Sequence, residues 1–177
     1  MEDVLYIHID SKSDTGCLSS VYSDDSHVLY NPTKGEVRKA LKSFTGRTVV
    51  LLGHGDINGL YNKDWNGYVI DCSLVQLLRG FDVIGIWCYA TEFARRYGLH
   101  GFFTSMFISN ADEATELGFG GCLGCDIEDR LRLFCEKVRN LMLTDIPMME
   151  WYDYFMGQPE VEEPYVRYNY EAMEFFD

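Results

Sequence analysis

The side chains best suited to covalent chemistry are an imidazole and a thiol that close two apolar runs. Residues 48–52 (TVVLL) lead through Gly53 into His54, and residues 83–87 (VIGIW) lead directly into Cys88. A continuous apolar run of this length reads as a strand buried on both faces, the mark of a parallel sheet. Two such strands side by side would deliver His54 and Cys88 together at one edge. A thiol attacks a carbonyl well as thiolate, and its pKa falls at a helix N-terminus or beside an imidazolium. Residues 89–97 (YATEFARRY) read as a helix beginning directly after Cys88, so a lowered thiol pKa is expected. His54 would accept the thiol proton or, in a loosely paired dyad, protonate the leaving amine. Gly53 and Gly55 permit close approach of a substrate, and the Gly55 amide is left to face a developing oxyanion. The plainer account is that His-Gly pairs are common and that a cysteine ending a strand is more often a small hydrophobe.

The rest of the chain supplies the scaffold for that edge. Residues 3–10 (DVLYIHID) alternate and read as a first strand; His8 within it is expected to be a buried, hydrogen-bonded histidine. Residues 11–16 read as a loop, and 17–30 are ambiguous, with a short strand or hairpin around 18–22 and 28–30. Residues 33–44 space Val37, Leu41 and Phe44 at helical intervals and open on Thr33 with Glu36 three positions later, a capping-box pattern before a crossover helix. After His54 come Asp56, a candidate to orient substrate or simply a solvated loop residue, and turn-rich residues 62–67, which suit a small hairpin or ordered loop. A short helix over 73–79 and the strand over 82–87 follow. Residues 102–109 (FFTSMFIS) read as another buried strand, 110–117 as an acidic loop or helical turn, and 126–143 as a long amphipathic helix. From 145 to 177 the chain is acidic and aromatic and reads as one more helix with an irregular tail. Strand and helix alternate, so the expected class is α/β with a mainly parallel sheet flanked by helices, in a single domain over 1–177 with 145–177 as a C-terminal extension. Such sheets carry their functional loops at the carboxyl ends of the strands.

Composition limits the function. At 177 residues with 47% hydrophobic content, the chain can bury a full core. A formal charge of −13 argues against a general nucleic-acid binder and suits cationic partners, including basic peptides. No apolar run approaches a membrane span, and the start, Met-Glu-Asp-Val, lacks the basic segment of a secretory signal, so a cytoplasmic protein is expected. Six cysteines then read as free thiols. Cys122-Leu-Gly-Cys125 has the gap of half a zinc site, but no second close pair of Cys or His completes it, so neither metal nor cofactor is expected. No Gly-x-Gly-x-x-Gly or P-loop pattern follows a predicted strand, which disfavours a nucleotide or flavin protein.

The two motifs, VVLLGHGD and VIGIWCYA, resemble those of the caspase-like cysteine peptidases, a group that includes caspases, metacaspases, clostripain, gingipains, legumain and separase. The resemblance spans residues 48–116, and the preceding strand and helix fit the same three-layer caspase-haemoglobinase fold. It implies a cysteine endopeptidase with His54 and Cys88 as the dyad and an oxyanion hole from the amides of Gly55 and Cys88. Caspases proper carry Gln-Ala-Cys-x-Gly where this chain has Ile-Trp-Cys-Tyr-Ala, and 34 residues separate the dyad against about 50 in caspases, so a preference for aspartate before the cut is not implied. Residues 107–114 (FISNADEA) are similar to the acidic loop that receives a basic P1 side chain in separase and related bacterial domains. That likeness makes Asp112 the candidate for binding arginine or lysine. The same sequence admits a rival from another class, a caspase-like fold that has lost turnover and acts as a binding or regulatory module.

Overall fold

A computed structural model describes residues 3–10, 15–23, 26–121 and 124–177. Residues 11–14 of the predicted first loop and Cys122 of the Cys-x-x-Cys pair lie outside these. The strands are β1 (Val4–His8), β2 (His27–Tyr30), β3 (Thr48–Leu52), β4 (Gly55–Asp56), β5 (Gly59–Tyr61), β6 (Tyr68–Ile70), β7 (Asp82–Ile86), β8 (Gly101–Thr104) and β9 (Met173–Phe176). The α-helices are α1 (Lys34–Ser43), α2 (Val75–Leu78), α3 (Ala90–Tyr97), α4 (Ala111–Glu116), α5 (Gly124–Met142), α6 (Trp151–Met156) and α7 (Pro164–Glu171).

Six strands form one sheet in the order β2-β1-β3-β7-β8-β9, and every neighbouring pair is parallel except β8 with β9. The pleat sends alternate side chains to opposite faces. Val50, Leu52, Ile84, Ile86 and Phe102 pack with α5, α6 and α7, while Val49, Leu51, Val83 and Phe103 pack with α1, α2 and α3. Burial on both faces explains why the central strands read as unbroken apolar runs rather than alternating ones. The chain is thus an α/β protein whose mixed, mainly parallel sheet is flanked by helices on each side. The short strands β4, β5 and β6 make a separate antiparallel sheet directly after His54, as the turn-rich stretch there suggests. Thr33 and Glu36 form the reciprocal capping box at the start of α1.

Three segments differ from the sequence reading. Residues 18–22 do not add a strand: Gly16–Val21 is a 3-10 helix that buries Leu18 and Val21 against α5. The apolar run over 102–109 leaves the sheet after Thr104: the Ser105 amide still bonds to the Ala172 carbonyl in register with β9, but Ile108 finds its backbone partners on a side chain. Asn169 of α7 supplies both, accepting from the Ile108 amide at 2.7 Å and donating to its carbonyl at 3.0 Å. Finally, the acidic aromatic extension is an integral layer rather than a tail. Trp151, Phe155 and Tyr170 are buried against Phe102 and Phe134, and β9 forms an edge of the sheet. Glu150, Asp153, Glu162 and Glu171 are exposed on its outer surface, while Glu160 is buried and paired with Lys137.

Candidate active site

Strand register decides whether the imidazole and the thiol can meet. Leu52 at the end of β3 stands opposite Ile86 at the end of β7, and the Gly53 amide continues the ladder to the Ile86 carbonyl at 3.2 Å. His54 and Cys88 each follow two positions later, so both leave the sheet at the same level of its carboxyl edge. They line one small cavity of about 30 Å³, together with Thr15, Leu18, Gly53, Ile86, Trp87, Phe107, Ser109 and Leu131. This is room on the order of two waters.

Glycine is required on the His54 side. Gly53 has φ +145°, and a Cβ there would lie 2.7 Å from the Ile9 carbonyl oxygen. A Cβ on Gly55 would overlap the Trp87 indole and the Gly59 carbonyl. The Tyr61 amide donates to the His54 carbonyl at 2.9 Å, which makes Gly55 and Leu60 a non-hydrogen-bonded antiparallel pair. In such a pair the amides point away from the partner strand, so the Gly55 N–H is turned outward from the hairpin. His54 itself is 9% exposed, and its ring lies 5.1 Å from that of Trp65, centroid to centroid. Trp65 in turn stacks on Tyr61, and Tyr61 on Tyr68.

Cys88 sits in a sharp strand-to-helix turn. Tyr89 after it adopts the left-handed region, φ 69° and ψ 26°, and caps α3, whose first residue is Ala90. Such backbone in a non-glycine residue costs about 1–3 kcal/mol and is concentrated at functional sites. The Trp87 carbonyl is fixed by the Thr104 hydroxyl at 3.0 Å, and the Trp87 indole N–H donates to the Asp56 carbonyl at 3.3 Å. The thiol donates to the Phe107 carbonyl at 3.8 Å. Burial pushes its pKa up to about 11, and the Glu113 carboxylate adds in the same direction. This reverses the expected lowering: α3 begins two residues beyond Cys88, and desolvation of the thiolate outweighs the helix terminus.

The two carboxylates singled out in the sequence stand apart from the cavity walls. Asp56 is half-buried in the hairpin, where it accepts from the Asn58 amide at 2.7 Å, the Tyr68 hydroxyl at 2.9 Å and the Tyr61 hydroxyl at 3.0 Å. Burial alone would raise its pKa, but these donors outweigh burial and hold the carboxyl below its ordinary value. Asp112 is exposed on the first turn of α4. The carboxylate nearer the thiol is Glu113, whose Oε2 accepts from the Ser109 amide at 2.8 Å and the Ser109 hydroxyl at 3.0 Å. Arg95 and Arg96 lie on α3 and reach Glu174 and Asn58.

Sequence reasoning did not find Leu18, Phe107, Ser109 or Leu131 as walls, nor Trp65 as the neighbour of His54. Leu18, the 107–109 loop and Leu131 are three segments distant from the dyad in sequence, and no local spacing relates them to it. Asn169 was equally hidden, since an asparagine in an amphipathic helix carries no signal that it will grip a distant loop. Among the described residues no group of three or more His, Cys, Asp or Glu is placed to hold a metal ion, and no helix is long and apolar enough to cross a membrane. No protein-family model matches the chain, and a search of curated proteins returns no significant match.

Proposed function

We propose that this chain is a cysteine endopeptidase of the caspase-like type, acting on protein or peptide substrates in the cytoplasm. The observation that carries the reading is the register of β3 and β7, which brings His54 and Cys88 to the walls of one cavity. The thiol holds its proton well past neutrality, so attack on a scissile carbonyl requires His54 to take that proton as the sulfur–carbon bond forms. The Gly55 and Cys88 amides are the donors proposed for the oxyanion. Collapse of the tetrahedral species gives a thioester, and the imidazolium returns its proton to the leaving amine. Water, deprotonated by His54, then releases the acid and restores the thiol. Cys72, Cys88 and Cys135 are free thiols, which suits a reducing compartment. A basic P1 preference through Asp112 needs that carboxylate at the cavity, and its exposed place on α4 lends no support to that part of the reading.

The second reading, a binding or regulatory module without turnover, draws on the raised thiol pKa and the narrowness of the cavity. A fluorogenic peptide panel with Arg, Lys, Asp, Asn and Ala at P1, run on the wild type and on Cys88→Ala, separates the two. The peptidase reading expects turnover of at least one peptide that disappears in Cys88→Ala. If no peptide shows turnover dependent on Cys88, the peptidase reading is lost.

A further inference from the structure

Asn169 and Cys88 meet opposite ends of one peptide unit. The Phe107 carbonyl and the Ile108 amide belong to the same planar trans group, so they point in opposite directions. Asn169 Oδ1 accepts from that amide at 2.7 Å, and the Cys88 thiol donates to that carbonyl at 3.8 Å. The other half of the carboxamide, Nδ2, donates to the Ile108 carbonyl at 3.0 Å. Asn169, Ile108 and Phe107 are all buried, where hydrogen bonds in series strengthen one another and a peptide group left without a partner is costly. Two further contacts anchor the same segment: Glu113 accepts from the Ser109 amide, and the Phe107 ring packs on Phe134. Among the described residues, however, only Asn169 and the thiol itself bond to the unit that joins Phe107 to Ile108.

We infer that Asn169 is a positioning residue for Cys88: by fixing the tilt of this peptide it holds the Phe107 carbonyl on the thiol and keeps the sulfur covered and aimed. The catalytic half of the inference rests on the peptidase reading; the covering of the sulfur does not. Without the carboxamide, the Ile108 amide and carbonyl must turn toward other partners, and the Phe107 carbonyl at the far end of the unit swings off the sulfur. The thiol then gains water, which eases its ionisation because burial is what opposes it. It also loses its fixed orientation relative to His54, and a misplaced nucleophile is a slow one. Labelling by a small reagent and turnover of a peptide therefore move in opposite directions. Loss of folded protein gives a different pattern, in which turnover falls and every buried thiol is labelled.

The test uses the full chain and three variants. Asn169→Leu keeps the volume and removes both bonds, and Asn169→Ser is a milder form of the same loss. Tyr170→Phe, one residue along α7, is the control, because its hydroxyl bonds to Glu160 and not to the 107–109 segment. Iodoacetamide labelling of Cys88 is followed by mass spectrometry across pH, with buried Cys135 as the reporter of unfolding. The midpoint of Cys88 labelling falls in Asn169→Leu from about 11 toward 9.0, and the rate at neutral pH rises roughly tenfold for each unit of that fall. Cys135 stays unlabelled, and kcat drops at least roughly tenfold with KM little changed. Asn169→Ser moves the same way by less, and Tyr170→Phe moves neither. An unchanged labelling profile in both Asn169 variants, or the same shift in Tyr170→Phe, overturns the inference; full turnover in those variants then leaves the peptidase reading intact. A shifted profile with no peptide turned over by the wild type keeps the covering role and removes the peptidase reading. If neither Asn169 variant folds, the wild type decides. Alkylating Cys88 removes the thiol hydrogen from the Phe107 carbonyl and moves the Asn169 carboxamide NMR signals, and unmoved signals overturn the inference.

Discussion

Two histidines stand at the carboxyl ends of adjacent parallel strands, and their surroundings could hardly differ more. His8 closes β1 opposite Leu52 of β3, and it is fully buried. Its Nε2 donates to the Thr15 carbonyl at 3.0 Å, since a carbonyl can only accept, and its Nδ1 accepts from the Tyr22 hydroxyl at 2.9 Å. Burial pushes the pKa of that ring down, which favours the neutral form with Nδ1 as the acceptor. His54, beyond β3, lines the cavity beside Cys88 and lies next to an exposed indole. The His8 ring holds Thr15 and Tyr22 in place inside the fold; the His54 ring borders a cavity with a thiol, which on the peptidase reading puts it in a position to move a proton. His8 does contribute at one remove, because the Thr15 it anchors is itself a cavity wall.

Replacing each ring in turn gives the largest expected contrast. His54→Ala should lower kcat/KM by about 100- to 10,000-fold, the range of general acid–base catalysis, with little change in the denaturant midpoint. His8→Ala should leave the Tyr22 hydroxyl and the Thr15 carbonyl without their partner and cost about 1–3 kcal/mol of stability, measured by urea unfolding. If His8→Ala abolished turnover while the protein stayed fully folded, the division of roles would be wrong.

Titration sharpens the same contrast between buried and reacting groups. The folded pKa of His8 lies below its ordinary 6.5, so the unfolded chain takes up that proton first as pH falls. The stability His8 provides is present above pH 6.5 and is lost progressively under more acid conditions. His8→Gln should weaken this acid-side loss in pH-dependent urea titrations. Cys88 behaves with the opposite sense: its unfolded thiol ionises near 9.0 and its folded thiol near 11. Its contribution is therefore complete below pH 9.0 and lost between there and about 11. Because Cys17 is also pushed up to about 11, the difference between wild type and Cys88→Ala isolates this effect. The iodoacetamide rate at Cys88, followed by mass spectrometry, should climb over the same alkaline range; a midpoint near 7 would contradict the burial argument.

The smallest expected effect concerns Trp65. Its ring borders His54 from a backbone held at φ 57°. Aromatic contacts of this kind are worth ~0.5–1.5 kcal/mol. Trp65→Ala should accordingly reduce kcat roughly 2- to 10-fold, and the His54 ring resonances should move in the NMR spectrum while those of His8 stay put. Unchanged His54 ring resonances together with an unchanged kcat would remove Trp65 from any positioning role.

Much of this arrangement was legible in the sequence because it rests on local signals. Apolar runs five residues long, closed by Gly53-His54 and by Cys88, marked the central strands and their chemical ends, and Thr33 with Glu36 marked the start of α1. What stayed hidden depends on contacts between remote segments. The stretch 102–109 reads as one strand, yet Asn169 draws Ile108 out of the sheet. The thiol's environment was misread for a related reason: helix position is visible in sequence, whereas burial by Phe107 and Leu131 is not. The aromatic run from Trp151 onward carried no motif because its work is packing, against Phe102 and Phe134.

The grip of Asn169 on Ile108 gives the molecule a built-in order of completion. Phe107, whose carbonyl meets the thiol, is set in place by a helix that lies far downstream of Cys88. A nascent chain emerging from the ribosome would expose imidazole and sulfur early and still lack the partition that shapes their shared space. On the peptidase reading, synthesis must run through α7 before the centre can work, which keeps half-made copies harmless to the chains around them.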